Sequence, residues 1–192
     1  MYKKFIKRAL DLFLSLIGFI VLLPVFILIS IGVKCTSPGP VFFKQKRVGK
    51  GKGHFTILKF RTMRVATPKD VPTHLMTDPS KYTTGFGRFL RRSSLDELPQ
   101  IINIIKGDMS IVGPRPALWN QFDLVSERDK YGANDVLPGL TGWAQINGRD
   151  ELEIGEKAAL DGEYVKNLSF AFDLKCFFLT FSAVIKSKGF KQ

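Results

Sequence analysis

Leu12-Phe13-Leu14-Ser15-Leu16-Ile17-Gly18-Phe19-Ile20-Val21-Leu22-Leu23-Pro24-Val25-Phe26-Ile27-Leu28-Ile29-Ser30-Ile31-Gly32-Val33 carries no charged side chain. As a helix it would run about 33 Å, enough to cross the hydrocarbon core of a bilayer. It is too long for the apolar region of an ordinary signal peptide and lacks a small-residue cleavage site. Lys3, Lys4, Lys7 and Arg8 precede it, and Lys34, Lys44, Lys46, Arg47, Lys50 and Lys52 follow it. Basic flanks favour the cytoplasmic side, so both ends ask to be on one face. Pro24 lies near the middle, where a missing amide proton bends a helix. A segment that enters, turns at Pro24 and returns to the same leaflet satisfies both facts; a kinked single span is the alternative. Asp11, three residues from Arg8, is expected to pair with it at the interface.

The remainder of the 192 residues suits one modest domain. The formal charge of +12 calls for an anionic partner. Nucleic acid fits poorly: the chain has no zinc-finger spacing and no RNA-binding aromatic motif, and its bases are spread along the sequence. A basic chain with an apolar anchor suits the anionic cytoplasmic leaflet. Cys35 and Cys176 are far apart in apolar settings and read as reduced. His54 and His74 are too isolated to form a histidine metal site.

Outward from the anchor, the richest stretch is Ser94-Leu-Asp96-Glu97-Leu-Pro99-Gln100, followed by Asn103 and by Gly107-Asp108-Met-Ser110-Ile-Val-Gly113-Pro114-Arg115-Pro116. Arg88, Arg91, Arg92 and Arg115 flank its two adjacent carboxylates. Carboxylates among arginines suit a site handling phosphates and a divalent metal, because guanidinium grips phosphate oxygens bidentately. The competing reading is structural: Ser94 with Glu97 three residues on is a capping-box pattern. Pro99 complicates that reading, since it removes a donor just beyond the first turn.

Between anchor and acids, Ser37-Pro38-Gly39-Pro40 ends the apolar segment. Val41 to Arg47 and Phe55 to Arg61 alternate as strands around the turn Gly49 to Gly53. Lys59 and Arg61 share a face with Phe55 and Ile57, either as phosphate ligands or as a solvated edge. Residues 64–84 read as a surface loop. Pro138 to Arg149 is a glycine-rich turn ending on a cation, which suits a nucleotide or sugar seat or an ordinary loop. Leu168 to Phe190, with Phe170, Phe172, Phe177, Phe178 and Phe181 and scattered lysines, suits an amphipathic interfacial helix or a core helix. No Gly-x-Ser-x-Gly, His-Glu-x-x-His, Gly-x-Gly-x-x-Gly or Asp-x-Asp signature is present.

Taken in order, these motifs resemble a known family. Lys7-Arg-x-x-Asp11, Ser37 to Pro40, Lys59-Phe-Arg61-Thr-Met63, Ser94 to Gln100, Gly107 to Pro116, Pro138 to Trp143, Asn147-Gly-Arg149 and Asp161-x-x-Tyr164 are together similar to the bacterial sugar transferases. These are monotopic polyprenyl-phosphate phosphoglycosyl transferases of the small, single-domain type. The resemblance implies an α+β fold, helix-rich with a small antiparallel sheet. It would sit on an N-terminal re-entrant membrane helix with interfacial amphipathic helices. Residues 1–36 would be the anchor and 37–192 the cytosolic, membrane-associated catalytic domain. One departure is Leu23, where the family commonly has a serine whose hydroxyl could satisfy a backbone group freed at the proline.

The resemblance also implies transfer of a phosphosugar from a UDP-sugar, with an N-acetylated hexosamine favoured, to polyprenyl (undecaprenyl) phosphate. UMP is released and Mg²⁺ is required. Such a reaction initiates capsule, exopolysaccharide or glycoprotein assembly. Asp96 would be the nucleophile and a metal ligand, with Glu97 its catalytic neighbour, and Lys59, Arg61, Arg91, Arg115, Arg149 and Asp161 would bind substrate. The implied location is the cytoplasmic face of the bacterial inner membrane, with room for a homo-oligomer and no nucleic acid partner. The rival classes are a catalytically inactive membrane scaffold and an anchored UDP-sugar pyrophosphatase.

Overall fold

The computed structural model describes residues 2–65, 67, 81–148 and 152–185. A π-helical turn, Tyr2–Ile6, leads into α1, Lys7–Thr36, which stays helical through Pro24. Pro24 donates no amide proton, so the carbonyl one turn earlier, on Ile20, goes without its usual helical donor. The side chains of α1 divide by face. Asp11, Ser15, Phe26, Ile29 and Val33 recur at helical spacing and are buried, whereas Phe13, Ile17, Ile20, Val21, Ile27, Leu28 and Ile31 are exposed. An apolar helix that is apolar on its open side as well has no reason to face water.

The buried face lies along the rest of the protein at both ends. Near its start, the Arg8 guanidinium donates to the carbonyls of Ile104 (2.6 Å) and Ile105 (3.0 Å). Asp11 accepts from Ser110 Oγ at 2.7 Å and from the Ile111 amide at 3.1 Å. The expected Arg8–Asp11 pair is therefore replaced. Arg8 adds donors to the carbonyls at the end of α3, where Ile104 O also accepts from Gly107 N–H, and Asp11 gives the Ile111 amide an acceptor. Near its end, α1 places Phe26, Ile29 and Val33 against Phe60 and Leu90, with Phe19, Leu22, Leu95 and Leu98 around them. At about 1.5–3 kcal/mol per fully buried large side chain, this cluster is a substantial share of the fold's stability.

The partner along that face is a broken helix running antiparallel to α1. It consists of α2 (Gly85–Arg92), a 3₁₀ turn (Leu95–Glu97) and α3 (Gln100–Lys106). Phe86 at its start packs on Gly32, where an added Cβ would lie 2.6 Å from the ring, and Ile104 and Ile105 at its end meet Arg8.

Against this pair sits the expected hairpin, β1 (Phe42–Val48) and β2 (His54–Phe60), antiparallel with Phe43 opposite Lys59 and Arg47 opposite Phe55. A second, parallel pair joins β3 (Ser110–Val112) and β4 (Gly139–Thr141). Three-residue strands carry too little alternation to be read from sequence. Asn103 ties the layers together: its side-chain carbonyl accepts from the Leu58 amide (3.0 Å), and its amide donates to Thr56 O (2.8 Å). The C-terminal part contributes α4 (Phe122–Asp129), the short α5 (Trp143–Ile146), α6 (Ile154–Asn167) and α7 (Phe170–Ile185). Asp173 of α7 accepts from Lys7 (2.7 Å) and Tyr164 (2.7 Å), tying α7 to α1 and α6. Phe170, Leu174, Phe177 and Phe178 are left exposed on α7, the face an interfacial helix would present.

Candidate active site

The two acids stand in the gap between α2 and α3. The chain leaves α2 through Ser94, a non-glycine residue in the left-handed region (φ 56°), and makes one 3₁₀ turn closed by Leu98 N–H to Leu95 O. With three residues per 3₁₀ turn, Leu95 and Leu98 eclipse on one side, where both pack towards α1. Asp96 and Glu97 are thereby turned away from the anchor. Ser94 makes no side-chain cap, so the capping-box reading fails: the Glu97 carboxylate is engaged elsewhere.

Glu97 accepts from Lys59 Nζ at 2.7 Å and from Arg115 Nη2 at 2.7 Å, with Arg115 Nη1 at 3.4 Å. Burial alone would raise its pKa, but Arg115 and then Lys59 override that and hold it well below the usual carboxylate range. Glu97 is thus a permanent anion that fixes two cations. Lys59, for its part, is pushed below the ordinary lysine value by desolvation, which Glu97 opposes.

Asp96 differs. It is buried, and the groups acting on its carboxyl do so through space rather than by hydrogen bonds. Burial raises its pKa most, opposed by Lys59, while Glu97 adds to the rise and Arg91 and Arg115 oppose it. The balance leaves it at about 6. Two neighbouring carboxyls are pushed apart in acidity, one tied down and one unengaged, an arrangement characteristic of functional sites.

The cations are held by the scaffold. Arg115 lies in the Gly113–Pro116 corner, fixed by Gly113 N–H to Thr141 O (2.8 Å) and Gly139 N–H to Pro114 O (2.8 Å). A Cβ at Gly113 would stand 2.5 Å from Leu137 O, which is why that corner needs glycine. Arg91 donates from Nε to Thr62 Oγ1 at 3.0 Å, leaving its charge within the influence of Asp96.

Of the residues expected from sequence, Asp96, Glu97, Lys59, Arg91 and Arg115 converge. Arg61 does not join them. It is buried and donates from Nη2 to Ser37 O (2.7 Å) and from Nη1 to Pro38 O, so it clasps the corner after α1. Asp161 lies apart from them too. At 1% exposed it sits inside the protein, where a single carboxylate oxygen, Oδ2, accepts from Arg128 Nη2 (2.6 Å) and Nε (2.8 Å). Burial there outweighs Arg128 and leaves the carboxyl above its ordinary pKa. Arg149 lies outside the described residues.

Sequence reading missed Arg47. It donates from Nη1 to Pro116 O (3.0 Å) and from Nε and Nη2 to Gln45 Oε1 (3.1 and 2.6 Å), steadying the corner that carries Arg115. Cross-strand pairing puts Phe43, Gln45 and Arg47 on the Lys59 face of the hairpin, so two-residue alternation held the signal.

Among the described residues no cluster of three or more metal-ligating side chains occurs. Mg²⁺ is commonly held by one or two carboxylates with substrate phosphates completing the shell. Asp96, lacking an internal hydrogen bond, is the carboxylate suited to it.

Comparison with known proteins agrees with these motifs. Residues 2–187 match the family described as bacterial sugar transferase. The chain is 43% identical over 188 residues to the uncharacterized sugar transferase EpsL of Bacillus subtilis, covering 97% of this chain and 91% of that protein. It is 42% identical over 190 residues to the UDP-glucose:undecaprenyl-phosphate glucose-1-phosphate transferase of Escherichia coli, covering 92% of this chain but 39% of that protein. It is 35% identical over 191 residues to the UDP-N-acetylgalactosamine-undecaprenyl-phosphate N-acetylgalactosaminephosphotransferase of Aeromonas hydrophila, covering 96% of this chain and 45% of that protein.

Proposed function

This chain belongs to the bacterial sugar transferase family, and from that premise we propose that it moves a sugar 1-phosphate from a UDP-sugar to undecaprenyl phosphate. The observation that carries the reading is Asp96: a buried carboxylate of raised pKa, without an internal hydrogen bond, set among Lys59, Arg91 and Arg115. One Asp96 oxygen attacks the phosphorus that bears the sugar, and the bond from that phosphorus to the UMP oxygen breaks. The enzyme is left as an aspartyl phosphosugar and UMP departs. A lipid phosphate oxygen then attacks the same phosphorus, the acyl-phosphate bond breaks, and Asp96 returns as carboxylate. Arg91 and Arg115 hold phosphate oxygens through this change, and Glu97 keeps Lys59 and Arg115 in place. Magnesium, held by Asp96 and by diphosphate oxygens, would supply charge neutralisation. The relatives named for glucose and for N-acetylgalactosamine make both a hexose and an N-acetylated hexosamine the first donors to try, the latter being the lean of the family resemblance.

The test is order of release. With Mg²⁺ and UDP-sugar but no lipid acceptor, the enzyme is expected to release UMP in a burst of about one equivalent per active site. Label from the sugar should remain on a peptide containing Asp96, break with hydroxylamine, and pass to lipid when polyprenyl phosphate is added. Direct attack by the lipid phosphate would give neither burst nor trapped label. Steady UMP release without acceptor would indicate a pyrophosphatase, and no release from any donor a scaffold.

The anchor reading follows from packing. Residues 1–36 serve as a membrane anchor and 37–192 as the catalytic unit on the cytoplasmic face of the inner membrane. What supports a re-entrant course is the basic charge on both flanks and the packing of both ends of α1 on that one unit, although α1 itself runs unbroken through Pro24. In a Cys35→Ser background, Lys3→Cys and Lys186→Cys should both react with a membrane-impermeant maleimide only from the cytoplasmic side. Reaction from opposite sides would establish a crossing helix.

A further inference from the structure

Helix α2 carries more cations than the active site uses. Arg91 faces Thr62 and Asp96, whereas Arg88 and Arg92, one turn apart, are exposed and have no partner among the described residues. Phe89 is 55% exposed on the same helix and stacks on Phe86 at 6.1 Å, and Phe86 abuts Gly32 of α1. At 3.6 residues per turn the order around the α2 axis is Phe86, Phe89, Arg92, Arg88, Arg91. The surface of α2 thus passes without interruption from the open apolar face of α1, across an aromatic ring and two unpaired guanidinium groups, to the arginine that acts on Asp96.

We propose that this arc is the docking site of the lipid-linked acceptor, with Arg88 and Arg92 taking its phosphate monoester and Phe89 lying along the first isoprenoid units. The inference rests on the proposed function for the identity of the acceptor. The occupant follows from charge and continuity. A phosphate monoester is nearly dianionic at neutral pH and matches two guanidinium groups better than one. The hydrocarbon of the same molecule would lie along the exposed apolar side of α1. An acceptor held there need only pass from Arg92 and Arg88 to Arg91 to reach the phosphorus on Asp96. A water-soluble donor has no use for the arc, so the two substrates approach one carboxylate from different sides.

The test measures binding apart from catalysis. Fluorescent polyprenyl phosphate is titrated, without UDP-sugar, against the full chain in nanodiscs of zwitterionic phosphatidylcholine. The double variant Arg88→Ala/Arg92→Ala is expected to weaken binding about tenfold, equivalent to about 1.4 kcal/mol. Its affinity for the corresponding polyprenol, which lacks the phosphate, should stay unchanged. The donor-only UMP burst of the variant should match wild type, which also certifies its fold. Equal affinity of variant and wild type for polyprenyl phosphate would overturn the proposal. So would a deficit that appears only when phosphatidylglycerol is added, since the pair would then be an anchor for bulk anionic headgroups. Absence of any UMP burst in wild type would count against the parent reading alone, because the binding comparison is made without turnover.

Discussion

Asp96→Asn is expected to lower turnover by about 10³-fold or more and, in the same protein, to raise stability at neutral pH. The first effect follows from chemistry. An amide is nearly isosteric with the carboxylate but cannot attack phosphorus as an anion, and losses of this order accompany removal of a nucleophile. The second follows from linkage. Burial holds the Asp96 carboxyl at about 6 in the fold, against 3.8 for a free aspartate. Between those values the native state binds more protons than the unfolded chain, so stability falls as pH rises through the interval. Above pH 6 the full penalty is present, roughly 2–3 kcal/mol at 1.36 kcal/mol per pKa unit. The amide carries no such penalty. In metal-free buffer the variant should unfold at higher temperature than wild type at pH 7.5, and the difference should shrink towards zero near pH 4. A variant that kept most of its UMP release would leave Asp96 without a catalytic role. One that was inactive yet no more stable would mean that the carboxylate is not held against its solvation preference.

Legibility in the sequence followed the length scale of each signal. The apolar run, the hairpin and the acid pair were readable because each is a local pattern of composition or period. Apart from the family resemblance, which assigns the nucleophile's role to Asp96, the residue pattern does not show how Asp96 and Glu97 differ, because what separates them is which one Lys59 and Arg115 reach, and those residues arrive from a strand and a loop. Arg61 and Asp161 show the reverse problem. Each stands in a motif that looks chemical, yet one clasps the carbonyls of Ser37 and Pro38 and the other neutralises Arg128 inside the protein. Buried polar groups need partners whether or not they have chemistry to perform, so a charged residue in a motif does not by itself mark a site. Arg8 and Asp11 extend the point: near neighbours of opposite charge were expected to satisfy each other, but α3 and β3 offered bonds that no water would replace.

Glu97→Gln is expected to slow UMP release in the absence of acceptor by about 10²-fold, as much as it slows the overall reaction. If Glu97 were a base serving the lipid phosphate, only the second half would suffer and the burst would survive. The structure argues for the former. A carboxyl held well below the usual range by Arg115 and Lys59 has little proton affinity to offer. An acceptor already mostly dianionic at neutral pH has little need of a base. What Glu97 does is hold two cations near Asp96, and a neutral amide cannot hold both. The substitution should also leave a pH signature of defined sign. Desolvation already pushes Lys59 below its ordinary pKa, and the Glu97 carboxylate is the main charge opposing that. Without the anion, the Lys59 pKa falls further and its ammonium is lost at lower pH. The alkaline limb of the burst rate should therefore move to lower pH in the variant than in wild type. A burst of normal rate with impaired lipid transfer would instead make Glu97 the acceptor's base.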